Sequence, residues 1–159
     1  MFKTYYNRSL TRKVKDLNLE DDRIYLKLEK AYYDYYWGEK LETYSYEIYR
    51  KKPHALVGFC DLRKGSDETL YYLGHIGYNI LIPYRGHRYS LSASQLLLEL
   101  ARHLEMEHLL ITCNEGNIAS QTIIERLGGE FIEIIDVPKN EPLYQQGDRI
   151  KRIYRFDLR

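Results

Sequence analysis

Cysteine and proline are scarce in this 159-residue sequence, with two and four copies respectively. The thiols, Cys60 and Cys113, sit far apart within apolar runs. That excludes a disulfide-stapled scaffold and a thiolate metal site, and both read as buried thiols of a cytoplasmic protein. No apolar run approaches the roughly 18 residues that a membrane span requires. The first residues, Met1 to Lys13, lack the apolar core of a signal peptide. A surplus of either charge is also missing: 24 Lys and Arg face 23 Asp and Glu. Neither nucleic acid nor a membrane surface is therefore an expected partner. No metal-ligand spacing, internal repeat or low-complexity linker is present. The length suits one domain over residues 1–159 with a core of its own.

What is present is periodicity, clearest from Gly74 to Phe131. His75 to Ile82 alternates, with Ile76, Tyr78, Ile80 and Ile82 on one face, and predicts a strand. Pro83 closes it, because proline cannot donate to a sheet ladder. A short cationic turn, Tyr84 to Ser90, precedes a helix whose stripe is Ala93, Leu97, Leu100, Ala101 and Leu104. Leu109 to Cys113 predicts a short strand. Asn117 or Asn114 can cap a helix from Ile118 to Leu127, and Gly128-Gly129 ends it.

The first half reads differently. Residues 1–22 predict a poorly ordered or edge segment. Ile24, Leu26 and Leu28 alternate with polar residues as in a strand, and strands follow over 41–50 and 56–63. A hairpin turn at Lys64 to Asp67 leads back through 70–73 to the central strand. Tyrosine is abundant, with 17 copies, and Tyr32, Tyr33, Tyr35, Tyr36 and Trp37 form a dense cluster. Three readings stand side by side: cross-strand packing, a wall for a substrate, or a homodimer surface. After Phe131 a strand runs to Val137, a polar loop spans 139–148, and 149–156 forms a last strand.

The turn at Arg85 to Ser90 carries the chemistry. A basic, glycine-containing loop between strand and helix aims backbone N–H groups and the positive end of the helix dipole at one point. A pyrophosphate fits such a site, and so does a plain solvated turn.

Three segments resemble the GNAT superfamily of N-acetyltransferases, and within it small bacterial acetyltransferases. They are Arg85-Gly86-His87-Arg88-Tyr89-Ser90, Asn114 to Ser120, and Ile124 to Gly129. The resemblance covers roughly the second half of the chain. It implies an α/β (α+β) fold: a mixed, mostly antiparallel twisted sheet flanked by helices, with an acyl-coenzyme A cleft at the central strand, loop and helix. It also implies acetyl-CoA as co-substrate and a small-molecule or peptide amine as acceptor, with direct acetyl transfer. An acyl-CoA-binding or sensing module without turnover is the alternative.

Carried over residue by residue, the resemblance assigns Arg85, Gly86, His87, Arg88, Tyr89 and Ser90 to the pyrophosphate. Arg88 stands where glycine is usual and Ser90 where glycine or alanine is usual. Asn79, Ile80, Leu81 and Ile82 would hold the pantetheine arm and polarise the thioester. Asn117 approaches that arm, with Ser120 one turn on. His75 is the candidate base, with a sheet-bound structural histidine as the competing reading. The usual tyrosine acid is replaced by Ile124, leaving Tyr144 or Tyr154 as candidate acids, or a thiolate that departs unaided. The two helices that the superfamily places after its first strand have no counterpart in the sequence. Either Tyr32 to Trp37 forms a short helix there, or that wall is missing and the acceptor site is open.

Overall fold

The structure is a computed structural model and describes residues 7–159. The chain opens with a helix, not a loose lead-in. Asn7 accepts a bond from the Leu10 N–H at 3.0 Å and so caps α1, Arg8–Val14. Leu10 and Val14 lie one turn apart and are buried, as is Leu19 beyond the helix. Leu10 and Val14 on one helix face, with Leu19 just beyond it, pin this segment, which corrects the expectation for 7–22. Residues 1–6 lie outside the described residues.

Strand β1, Ile24–Tyr36, continues through the tyrosine cluster into a hairpin with β2, Glu39–Arg50. Trp37 and Gly38 make the turn, both with positive φ. Of the two readings of Tyr32 to Trp37, the short helix is therefore excluded, and β1 passes to β2 without one. Tyrosine and tryptophan are strand formers and suit a pleated surface better than a helix. β3, Ala55–Lys64, pairs with β2 and with β4, Ile76–Ile80, giving an antiparallel sheet ordered β1-β2-β3-β4. The segment between β3 and β4 is not extended as expected. Ser66 caps a short helix there, α2, Asp67–Leu70.

The second half follows the periodicity. A 3-10 turn at Ile82–Tyr84 leads to α3, Tyr89–His103, then β5, His108–Asn114, and α4, Ile118–Leu127. Gly128, at φ 91°, ends α4 in the left-handed conformation. β6, Glu130–Asp136, and β7, Ile150–Asp157, flank a loop that contains α5, Pro142–Gln145. These strands form a second antiparallel sheet ordered β5-β7-β6.

The Ala93, Leu97, Leu100 and Ala101 stripe of α3 shares one buried core with Tyr44, Ile48, Leu62 and Ile76 of the first sheet. Each fully buried leucine or isoleucine among them contributes roughly 1.5–3 kcal/mol. The sheets meet at one end. His75 donates its backbone N–H to Leu110 O at 2.8 Å and accepts the Leu110 N–H on Nδ1 at 3.0 Å. Beyond that junction no ladder joins β4 to β5 among the described residues, and a notch opens between them.

Candidate active site

β4 forms one wall of the notch. Its ladder to β3 uses alternate residues: Arg63 N–H donates to His75 O at 2.7 Å, and Leu81 N–H donates to Val57 O at 2.9 Å. Backbone groups in a strand face its two edges in alternation. Tyr78 and Ile80 therefore turn theirs to the unpaired edge. Arg85 Nε donates to Ile80 O at 2.9 Å. The Tyr78 N–H and C=O and the Ile80 N–H remain facing the notch.

α3 begins at the notch's mouth. Its cap residue, Arg88, makes no side-chain capping bond, so first-turn N–H groups point outward with the positive end of the dipole. Arg88 sits at φ 61°, ψ 26°. This left-handed position explains why glycine is usual there, and it places an arginine beside the helix terminus. Two cations brace the loop from behind. Arg23 Nη2 donates to His87 O at 2.8 Å, with its guanidinium 5.0 Å from the Tyr89 ring. Arg50 lies 5.2 Å from the Tyr84 ring.

α4 supplies the opposite wall. Asn117 caps it, accepting the Ser120 N–H at 3.2 Å. Together these elements enclose a cleft of about 460 Å³, the size of a small-ligand site. Among the expected contacts, it gathers Asn79, Ile80, Arg85, Gly86, Arg88, Tyr89, Ser90, Asn117 and Ser120. Leu81, Ile82 and His87 stand outside its lining, with Ile82 in the 3-10 turn and exposed. Ile124 is fully buried.

The candidate acid and base positions fall elsewhere. His75 is 1% exposed at the junction of the sheets. Its Nε2 donates to Gly65 O at 3.1 Å while Nδ1 accepts from Leu110. Both nitrogens are committed in a neutral ring, and burial lowers its pKa further. The sequence could not show this, because both partners are distant in the chain. Tyr154 is buried, takes a bond from Arg152 Nε at 3.0 Å and donates to Glu125 at 3.3 Å. Tyr144 lies on α5 with Arg149 3.8 Å above its ring. None of the three lines the cleft.

The cleft instead holds a phenol that sequence reasoning passed over. Tyr78 lies on the helix-covered face of β4 with its hydroxyl toward Ser120 of α4 and near Cys113 of β5. Burial raises its pKa, with the Ser120 hydroxyl opposing, so the group is a proton donor at neutral pH. Cys113 is likewise kept a thiol by burial. The only signal in the sequence was its place three residues past His75, on the face assigned to the core.

The acetyltransferase (GNAT) domain family matches residues 4–130, and the chain belongs to that family. Solved structures share the fold at low identity. An acetyltransferase of the GNAT family from Bacillus anthracis is 18% identical with a TM-score of 0.58, covering 72% of this chain and 66% of that one. RimL, a ribosomal L7/L12 alpha-N-protein acetyltransferase solved with coenzyme A, is 17% identical at 0.56, covering 72% and 62%. MccE, a microcin C7 self-immunity acetyltransferase solved with acetyl-CoA and AMP, is 17% identical at 0.55, covering 72% and 61%. The aligned region thus spans less than two thirds of each of these chains. No curated protein sequence matches the chain. Among the described residues, no helix is long and apolar enough to cross a membrane, and no His, Cys, Asp and Glu cluster could hold a metal.

Proposed function

We propose that the chain transfers the acetyl group of acetyl-CoA to a primary amine of a small molecule or peptide by direct attack. The observation that carries this reading is the unpaired edge of β4 ending at the uncapped N-terminus of α3. The residues suit the co-substrate. First-turn N–H groups and the Arg88 guanidinium receive a pyrophosphate, and the exposed β4 edge offers amide partners to an extended pantetheine. The N–H groups of Tyr78 and Ile80 are fixed donors for a thioester oxygen that becomes an oxyanion.

The amine nitrogen attacks the thioester carbon, the carbonyl oxygen takes the charge, and the C–S bond then breaks. Tyr78 gives its hydroxyl proton to the departing sulfur, and the nitrogen loses one proton to water. Solvent reprotonates the phenolate. Two buried, free cysteines suit a reducing cytoplasm. The sensing alternative draws support from the buried Ile124, which cannot donate a proton. Tyr78 meets that objection from the opposite wall. The test is incubation with acetyl-CoA and varied amines, reading free thiol and acetylated amine together. Both should appear in equal amounts, whereas coenzyme binding without either product would favour sensing.

A further inference from the structure

The first sheet has a second functional face. The ladder registers pair Lys30 with Ser45, Ser45 with Asp61, Asp61 with Gly77, and Phe59 with Asn79. Directly paired residues share a face, while the interleaved Tyr46, Cys60, Ile76 and Ile80 belong to the helix-covered core. The first set therefore lies on the outer face, away from α3. A cavity of about 470 Å³ opens there, walled by Glu29, Lys30, Tyr32, Phe59 and Asp61. It shares Tyr78 and Asn79 with the cleft on the helix side. The two cavities thus meet at the stretch of β4 where its open edge faces the notch.

Asp61 is held in place within this cavity. Arg63 Nη1 donates to its Oδ2 at 2.6 Å, and other Arg63 nitrogens donate to the carbonyls of Gly74 and Ile76 at 3.2 and 3.3 Å. The pair lies flat on β4. A Cβ on Gly77 would come within 2.7 Å of Asp61 Oδ1 and 3.5 Å of both terminal Arg63 nitrogens, so a larger residue there would displace the carboxylate. Burial raises the Asp61 pKa while Arg63 opposes, and a further cation at Oδ1 would relieve that cost. Lys30, the cation in the wall, is drawn to the Tyr32 ring at 4.6 Å. Phe59 stays 38% exposed, an apolar surface beside a carboxylate.

We infer that the outer cavity receives the acceptor, a small primary ammonium on an apolar alkyl or aryl-alkyl body. Asp61 Oδ1 receives the ammonium on entry and the body lies on Phe59 and Tyr32; the ammonium then gives one proton to solvent, and the neutral nitrogen moves past Asn79 into the notch to attack. This inference rests on the acetyl-transfer reading above. A cavity of this size takes a drug-sized molecule. A single carboxylate with an aromatic wall fits a monoamine better than a chain of several cations.

The test assays the full chain with acetyl-CoA and hexylamine, phenethylamine, ethylamine, spermidine or a lysine peptide. The expected result is highest kcat/KM for hexylamine and phenethylamine. Asp61→Asn, which still offers Arg63 an acceptor, should raise their KM at least 10-fold, with kcat and acetyl-CoA Kd within 2-fold. Phe59→Ser, at an exposed position, should lower kcat/KM several-fold more for phenethylamine than for ethylamine. An active wild type whose KM is indifferent to both changes overturns the inference alone. So does a preference for spermidine or the peptide. A wild type that acetylates none of them yet binds acetyl-CoA overturns the acetyl-transfer reading, and this inference with it.

Discussion

Leu110 donates its backbone N–H to the Nδ1 of His75, and His75 returns its own N–H to the Leu110 carbonyl. This two-way bond fixes the vertex from which β4 and β5 diverge, and it needs a neutral ring with a bare Nδ1. Protonation would put a hydrogen on Nδ1 facing the Leu110 N–H. Asp67, whose Oδ1 is 3.7 Å from Nε2, favours protonation and is shared with His108 at 2.7 Å. Arg63 and burial disfavour it.

The first prediction concerns pH and stability. The folded His75 pKa lies below its ordinary value, so the unfolded chain binds the proton more readily. His75 therefore contributes stability that is complete above the unfolded pKa of about 6.5 and is lost as pH falls below it, by at most about 1.4 kcal/mol per pH unit. Urea denaturation between pH 4.5 and 8 should show this slope. His75→Gln should flatten it and cost about 1–3 kcal/mol at neutral pH. The pH profile of turnover should keep its shape, since His75 is outside the cleft.

The second prediction separates strain from charge at Arg88. Its left-handed backbone costs a non-glycine residue about 1–2 kcal/mol. Arg88→Gly should raise Tm while weakening acetyl-CoA binding and its dependence on salt. Arg88→Ala should weaken binding similarly without the gain in Tm, because alanine pays the same backbone cost. Calorimetry paired with thermal melts reads both.

Tyr78→Phe provides the third. Loss of the proton donor should lower kcat by about 10²-fold and leave acetyl-CoA Kd unchanged. A thioester with a more acidic leaving thiol should shrink the defect, because its anion departs with less help. Tyr154→Phe should leave kcat near wild type while lowering Tm.

The fourth concerns the hairpin tip. Tyr36 donates its hydroxyl to Glu141, and Trp37 Nε1 donates to the same carboxylate at 3.0 Å. Glu141 is 5% exposed, and its bond and charge push the Tyr36 pKa upward after burial itself. Glu141→Ala leaves two donors without a partner and should cost about 1–3 kcal/mol, read by thermal melts. Acetyl-CoA affinity should not change, because neither cavity is lined by these residues.

The run from Gly74 to Phe131 was legible in sequence because its stripes and caps are local. Leu97 and Leu100 announce a helix face, and Asn117 and Gly128 mark the ends of α4. Helix α1 was less legible, since seven residues give barely two turns of periodicity and its support comes from distant β1. The tyrosine cluster was ambiguous because a dense aromatic run serves packing, a wall or a dimer face equally; within it, Tyr32 lines the outer cavity. The cleft's loop could be read from Arg85 to Ser90. The His75 bond to Leu110 could not, nor the approach of Tyr78 to Ser120, because each joins elements that only the tertiary fold brings together.

Mass spectrometry of a single turnover tests the account most directly. Enzyme in excess over acetyl-CoA is mixed with hexylamine, and free coenzyme A and N-acetylhexylamine are quantified over time. The account predicts that both rise together in equal amounts, and that Tyr78→Phe slows them about 10²-fold with acetyl-CoA still bound. Bound acetyl-CoA that remains intact in the wild type, or equal rates in the wild type and Tyr78→Phe, would contradict it.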